Sequence, residues 1–387
     1  MKITGIETVV VGAGIRNWVF VVVDTDVPGL HGIGEATCEF QTRAVVGAVT
    51  DLAGLVLGRE ASEIERIWQI LYRHPFFKGG PVTMSALSGI DQALHDIAAK
   101  DLGVPLYRLL GGLVRDRVRL YGHLGGGNSD AVYNAATADE FAQRATDLVA
   151  DGYTALKILP VGRSRALTRN QCVSDAVQLM AATRDAVGED VEIMVDFHGR
   201  TGAAAAIELC RALQPMRPWF AEEICAPERP DELIRAARSI TVPVAAGERL
   251  YSRGEFLPLL AAGALDVAQP DVCHVGGITE LRKIAALCDT FGVAMAPHNP
   301  LGPVATMVNI HAGLAVSNFL ILEVMRSDVP WRDEVVNADL RIVDGYALPP
   351  ESPGIGLTLD RAAAARHPYQ PELVPQWFHD DGTPADW

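Results

Sequence analysis

Val191–Arg200, VEIMVDFHGR, is a short apolar run that ends in an acid, Asp196, with a histidine, His198, two residues further on. Five more apolar runs end the same way. WFAEE (219–223) carries Glu222, PVAAGE (243–248) ends in Glu248, DVAQPD (266–271) in Asp271, GVAMAPH (292–298) in His298 and FLILE (319–323) in Glu323. The gaps between these six residues are 26, 26, 23, 27 and 25. That period is one strand plus one helix. A barrel of eight β/α units in about 250 residues takes about 30 residues per unit, and its chemistry gathers at the C-terminal strand ends. One pattern therefore predicts the fold, the place of the site and its contents.

Alternation begins at Val118. Eight strands are predicted: Val118–Leu124, Leu156–Leu159, Ile193–His198, Trp219–Glu222, Val244–Glu248, Val267–Asp271, Ala294–His298 and Phe319–Glu323. Helical spacing lies between them, as in Thr137–Asp151 and Val173–Val187. Nearly continuous apolar strands alternating with helices predict a parallel sheet buried on both faces. The count favours a closed barrel, so the fold class is α/β, a (β/α) barrel of TIM type spanning 118–342. Residues 1–117 read as an α+β capping domain. Its strands are Ile3–Val11, Val19–Asp24 and a stretch near Gly32–Ala36, followed by helical spacing over Thr42–Leu57, Ala61–Tyr72 and Met84–Lys100. The pairs Gly12/Gly14 and Gly32/Gly34 fit no phosphate-binding pattern and are read as turns. The tail, 343–387, is rich in Pro, Gly and Trp and is expected to complete the capping domain.

The chain has 387 residues, 49% of them hydrophobic, which is enough for a sizeable core. No run reaches the roughly 18 apolar residues of a membrane span, and MKITGIETVVV reads as a strand, not a secretory signal. A net charge of −15 argues against nucleic acid, whose phosphates a binder must neutralise. It leaves room for a small anionic substrate, because a metal inverts the local field. Six scattered cysteines without CxxC are expected to be reduced in a cytoplasmic protein.

Asp196, Glu222 and Glu248 end three consecutive strands, which lie about 4.8 Å apart. Three bare carboxylates that close would repel one another, and a divalent cation resolves the repulsion. Hard oxygen ligands suit Mg²⁺. On a strand, His198 shares the face of Asp196; it is able to ligate, but acid/base work suits it better. Asp271 and His298 end adjacent strands, and an Asp beside a His makes a competent general base. Glu323, if protonated, is placed to donate a hydrogen bond to an oxyanion; Arg326 is an alternative partner for it. Lys157 offers positive charge to an anionic substrate, or a salt bridge to the nearby carboxylates. A metal with two opposed histidines suggests proton abstraction beside a carboxylate, with loss of water where the next carbon carries a hydroxyl.

Five stretches carry a resemblance: 77–97 (FKGGPVTMSALSGIDQALHDI), 195–200 (VDFHGR), 245–253 (AAGERLYSR), 269–280 (QPDVCHVGGITE) and 297–305 (PHNPLGPVA). Through them the whole chain resembles the enolase superfamily. It is most similar to the mandelate racemase-like group and, within that, to sugar-acid dehydratases of the D-galactonate type. The resemblance implies an enolase-like barrel and one Mg²⁺ per active site on Asp196, Glu222 and Glu248. It implies that His298, helped by Asp271, removes the C2 proton, that His198 protonates the departing 3-hydroxyl, and that Glu323 stabilises the enediolate. The product would be a 2-keto-3-deoxy acid, made by a lyase. Two loops, near Gly12–Trp18 and His74–Gly80, would close over the barrel mouth, with Arg16 and Lys78 as substrate contacts. Relatives are often octamers, which implies a homo-oligomer.

Two departures bear on the reaction. Racemases and cycloisomerases of the superfamily often carry Lys-x-Lys on the second strand, where this chain has Lys157-Ile158-Leu159. The usual Glu-Glu-Pro is Glu222-Glu223-Ile224 here. The first departure favours dehydration. The other readings are a racemase, epimerase or cycloisomerase, and a catalytically idle binding protein.

Overall fold

The computed structural model describes residues 1–124, 137–162, 170–325, 328–372 and 376–386; Arg326 lies outside them. The capping domain opens with an antiparallel sheet of β1 (Ile3–Ala13), β2 (Arg16–Thr25) and β3 (His31–Glu35). Helices α1 (Thr42–Ala53), α2 (Ile64–Arg73) and α3 (Pro81–Asp101) follow. Because side chains alternate along a strand, β2 serves two cores at once. Val19, Val21 and Val23 face the capping helices, while Trp18 and Phe20 join the core shared with the barrel. Gly32 and Gly34 lie inside β3 and are not turn residues. A Cβ at either would fall 2.0 Å from a carbonyl oxygen of α3, that of Ala93 or Gly89 respectively. Both glycines are there so that strand and helix can touch.

The barrel follows from Val118. Its strands are β4 (Val118–His123), β5 (Ala155–Ile158), β6 (Glu192–Asp196), β7 (Ala221–Glu222), β8 (Val244–Ala246), β9 (Val267–Ala268), β10 (Ala294–Met295) and β11 (Leu322–Val324). Neighbours from β4 to β10 pair in parallel, and β11 pairs with β4. A bridge between Met295 and Phe319 closes the ring. A hairpin of β13 (Ile342–Val343) and β14 (Tyr346–Ala347) adds antiparallel to β4. A second strand pair, β12 (Val336–Ala338) with β15 (Leu357–Leu359), lies apart. Among the described residues no helix is long and apolar enough to cross a membrane.

One residue per barrel strand fills the interior: Tyr121, Ala155, Met194, Phe220, Ala245, Val267, Ala296 and Ile321 form their own apolar cluster. Side chains two residues further along each strand face the same way. Those positions are His123, Lys157, Asp196, Glu222, Gly247, Gln269, His298 and Glu323. An apolar plug is thus capped by a polar layer at the C-terminal mouth, as the barrel fold dictates.

Glu35 pins the cap to the barrel. Fully buried at the end of β3, it accepts hydrogen bonds from the Gly302 and Ala305 amides (2.7 and 2.8 Å). These open the helix Pro303–Ala315, whose N-terminus favours an anion. Glu35→Ala would strand two buried donors, so a loss of about 2–4 kcal/mol is expected. Urea unfolding checks this: a midpoint equal to wild type would refute the clamp, and Glu35→Gln should lose less.

Candidate active site

The polar layer opens into a cavity of about 270 Å³ between barrel and cap. Its walls include His123, Lys157, Asp196, His198, Glu248, Arg249, His274 and His298 from the barrel, and Cys38, Glu39, Phe40 and Pro81 from the cap. Asp196, Glu222 and Glu248 each present one carboxylate oxygen, all within 4.8 Å of one another. Oxygens about 2.1 Å from a Mg²⁺ stand at most about 4.2 Å apart, so modest side-chain movement would let the three share one hard cation. Their electrostatics agree. Burial pushes Glu222 up to about 7 against the pull of Lys157, and the Asp196 charge adds to the rise. Burial, then the Glu223 charge, pushes Glu248 well above the usual carboxylate range. A cation would relieve both.

Lys157, buried in the barrel interior, donates to both Glu222 oxygens at 2.9 Å and lies 3.0 Å from Glu323 Oε1 and 3.5 Å from Asp196 Oδ2. Glu323 also touches His123 Nε2 and accepts from the Asn299 amide (2.9 Å). Burial opposes its charge, yet Lys157 and His123 hold it well below the usual carboxylate range. Glu323 thus accepts from the Asn299 amide and lies against two further hydrogen-bonding groups, Lys157 and His123.

His298 pairs its Nδ1 with Asp271 Oδ2 at 2.7 Å, and its Nε2 lies 3.4 Å from Glu248. Asp271 is itself fixed by the Cys273 amide (2.6 Å). Burial disfavours the charged ring, but Glu248, then the Asp271 hydrogen bond, raise His298 to about 10. His198 behaves oppositely. Burial, opposed by Asp196 and reinforced by Arg200, pushes it down to about 3.

Strand alternation is not what places His198. The strand ends at Asp196, and His198 adopts φ 55°, a left-handed conformation costly for a side-chain-bearing residue. Its amide donates to Asp196 Oδ1 (2.8 Å), and its carbonyl accepts from Arg249 (3.2 Å). Glu223 likewise turns back through φ 42° to reach the mouth, where Arg249 Nε donates to both its oxygens at 3.0 Å. Arg249 thus serves Glu223 and the His198 turn.

On the capping side, buried Arg16 bonds the Pro300 carbonyl and Glu39 (2.9 Å), both on the cavity wall. Lys78 is exposed and lies three residues before Pro81, which lines the cavity. Two wall histidines had no signal in the spacing argument. His123 lies beside Lys157 in strand register, and extending the strand-end rule to the first strand would have found it. His274 accepts or donates to Ser85 Oγ on α3 (2.8 Å) and lies 3.7 Å from Asp271.

A capped β/α barrel with a buried carboxylate triad and two histidines at its mouth defines a class of enzyme-like scaffold. Two family models match: "Mandelate racemase / muconate lactonizing enzyme, N-terminal domain" over residues 6–111 and "Enolase C-terminal domain-like" over 140–363. The chain belongs to the mandelate racemase/muconate lactonizing enzyme family of the enolase superfamily. It is 39% identical to a D-galactonate dehydratase of Xanthomonas euvesicatoria pv. vesicatoria, over 100% of both chains. It is 40% identical to one of Ralstonia nicotianae, over 96% of both. Among solved structures it is similar to a member of the enolase superfamily from Salmonella Typhimurium (TM-score 0.90, 31% identity, 95% of this chain and 98% of that one).

Proposed function

We propose that this protein is a hydro-lyase that dehydrates a sugar acid, of the D-galactonate class, to a 2-keto-3-deoxy acid with the help of Mg²⁺. The observation that carries this is geometric: His298, paired with Asp271 at 2.7 Å, and His198 line one cavity beside the Asp196, Glu222 and Glu248 carboxylates. Full-length similarity to D-galactonate dehydratases supports the substrate class.

Asp196, Glu222 and Glu248 would hold the cation, whose charge would offset that of the substrate carboxylate and of the enediolate. His298, its Nδ1 fixed by Asp271, would accept the C2 proton at Nε2. The largest upward push on His298 comes from Glu248; with that charge neutralised by a cation, the ring falls toward a working base. Lys157, held by Glu323, would donate to the enediolate oxygen. His198 would deliver its ring proton to the departing 3-hydroxyl, which leaves as water. Arg16 and Lys78 are the capping domain's candidate contacts. A racemase needs a base on each face of one carbon, and the position two beyond Lys157 is Leu159, which takes no proton.

A panel of aldonic and aldaric acids with Mg²⁺, assayed with semicarbazide, tests the reading. Formation of a 2-keto-3-deoxy product is expected; exchange of the C2 proton in D₂O without product would favour racemisation. Neither reaction from folded, Mg²⁺-loaded protein would sink both.

Cation binding should depend on pH. Glu222 is raised to about 7, so below that pH a proton competes with the metal. Affinity should fall roughly tenfold per pH unit for each proton displaced. Calorimetry at pH 6 and pH 8 checks this, and equal affinities would mean that cation binding displaces no proton from Glu222.

A further inference from the structure

The described residues 376–386 fold back on themselves. The Ala385 amide donates to the Trp377 carbonyl and the His379 amide to the Thr383 carbonyl, both at 2.9 Å. This turn presents the Trp377 indole to the barrel, with its ring centre 4.4 Å from the guanidinium carbon of Arg200. Arg200 is only 5% exposed. One of its nitrogens donates to the Val161 carbonyl (2.7 Å) and another to His198 Nδ1 (3.3 Å). Indole, guanidinium and imidazole thus lie in series. Upstream, the same tail is tied to the capping domain. Gly12 donates to the His367 carbonyl (2.8 Å), Gln370 to Asn17 Oδ1 (2.8 Å) and the Thr42 hydroxyl to Glu372 (2.9 Å). The described residues of the tail therefore touch both the hairpin that carries Arg16 and the guanidinium beside His198.

We infer that Trp377 is a positioning residue, which by stacking on Arg200 holds that guanidinium against His198 Nδ1 and so sets the tautomer and aim of the proton donor. The inference rests on the dehydratase reading above. A hydrogen bond donated to Nδ1 leaves the ring proton on Nε2, the only one a neutral imidazole has to give. The His198 backbone is strained, and strain persists only where surroundings over-determine it. The indole face supplies one such constraint through cation–π attraction, and it excludes water that would otherwise compete for the guanidinium. No new bond chemistry is added: the Nε2 proton passes to the departing 3-hydroxyl as its bond to carbon breaks, water leaves, and the negative charge left on the imidazole is held by the Arg200 guanidinium at Nδ1. The tail is not a simple apolar plug, since Phe378, next to Trp377, is 45% exposed.

The test uses the full chain with Trp377→Ala and Trp377→Phe, following C2 proton exchange in D₂O and product release side by side. In Trp377→Ala, kcat for dehydration should fall about tenfold, while exchange, which belongs to His298, should change less than about twofold. KM should hold, and Trp377→Phe, which keeps a ring for the guanidinium, should recover most of the loss. Exchange and dehydration falling together, or neither changing, would overturn the inference. If wild type dehydrates no acid, the reading of the site fails, and histidine-labelled ¹⁵N spectra judge Trp377 alone. A shift of the His198 Nδ1 resonance in Trp377→Ala would keep its positioning role, and an unchanged resonance would end it.

Discussion

His298→Asn should abolish both C2 proton exchange and dehydration, by about 1,000-fold or more, whereas His198→Asn should abolish dehydration alone. The asymmetry follows from the order of events. A base acts first, and without it nothing downstream forms. An acid acts on the intermediate, so its loss leaves the first proton free to come and go. Asparagine is chosen at 298 because it retains a polar group for Asp271, which bonds the His298 ring at 2.7 Å. The charges as they stand run in the opposite sense, with His298 raised to about 10 and His198 lowered to about 3. The reverse assignment, His198 as base, is the competing reading, and the same pair of variants separates the two. Should His198→Asn lose exchange while His298→Asn keeps it, the roles are exchanged. Isotope exchange by NMR and product release by semicarbazide give both numbers from one sample.

The barrel and most of its mouth were legible because apolar runs end in an acid or a histidine every 23 to 27 residues. Seven of the eight apolar residues of the interior layer, such as Met194 or Ile321, have a polar neighbour two positions on, here Asp196 and Glu323. Glu248 and Asp271 fall outside that register, placed by the loops after Gly247, at φ 148°, and Pro270. They were found only because acids end their apolar runs. His198 was found for a reason the structure replaces: a left-handed turn, not alternation, brings it to the mouth. Other features were beyond any pattern. The downward pull on the Glu323 carboxyl depends on distances to Lys157 and His123. The contact of Trp377 with Arg200 joins parts of the chain whose proximity only the folded tail creates. The glycines of β3 look like turn signals in sequence because glycine marks both turns and close packing, and only the 2.0 Å approach to α3 separates the two.

Lys157→Met should lower stability by about 3–5 kcal/mol in EDTA, because removing one partner of a buried ion cluster leaves uncompensated charge. Methionine keeps much of the side-chain length, so the change is mainly electrostatic. Lys157 stands within 3.5 Å of Asp196, Glu222 and Glu323, and all four side chains are nearly inaccessible to solvent. The sign of the pH dependence follows from Glu323. Its carboxyl is held below the usual range in the folded protein, chiefly by Lys157 against the cost of burial. That contribution is present above the unfolded pKa and is lost as pH falls through the folded one. In Lys157→Met it is absent throughout, so the deficit should be widest near neutral pH and narrow in acid. Added Mg²⁺ should rescue the variant more than wild type, since a cation on Glu222 and Asp196 replaces part of the missing charge. Thermal unfolding in EDTA and in Mg²⁺, at pH 7.5 and pH 5, would show this. A variant that unfolds with wild type in EDTA at neutral pH would mean that the cluster is not held by its lysine. Glu323 would then need another source of charge to stand as an acceptor beside the enediolate.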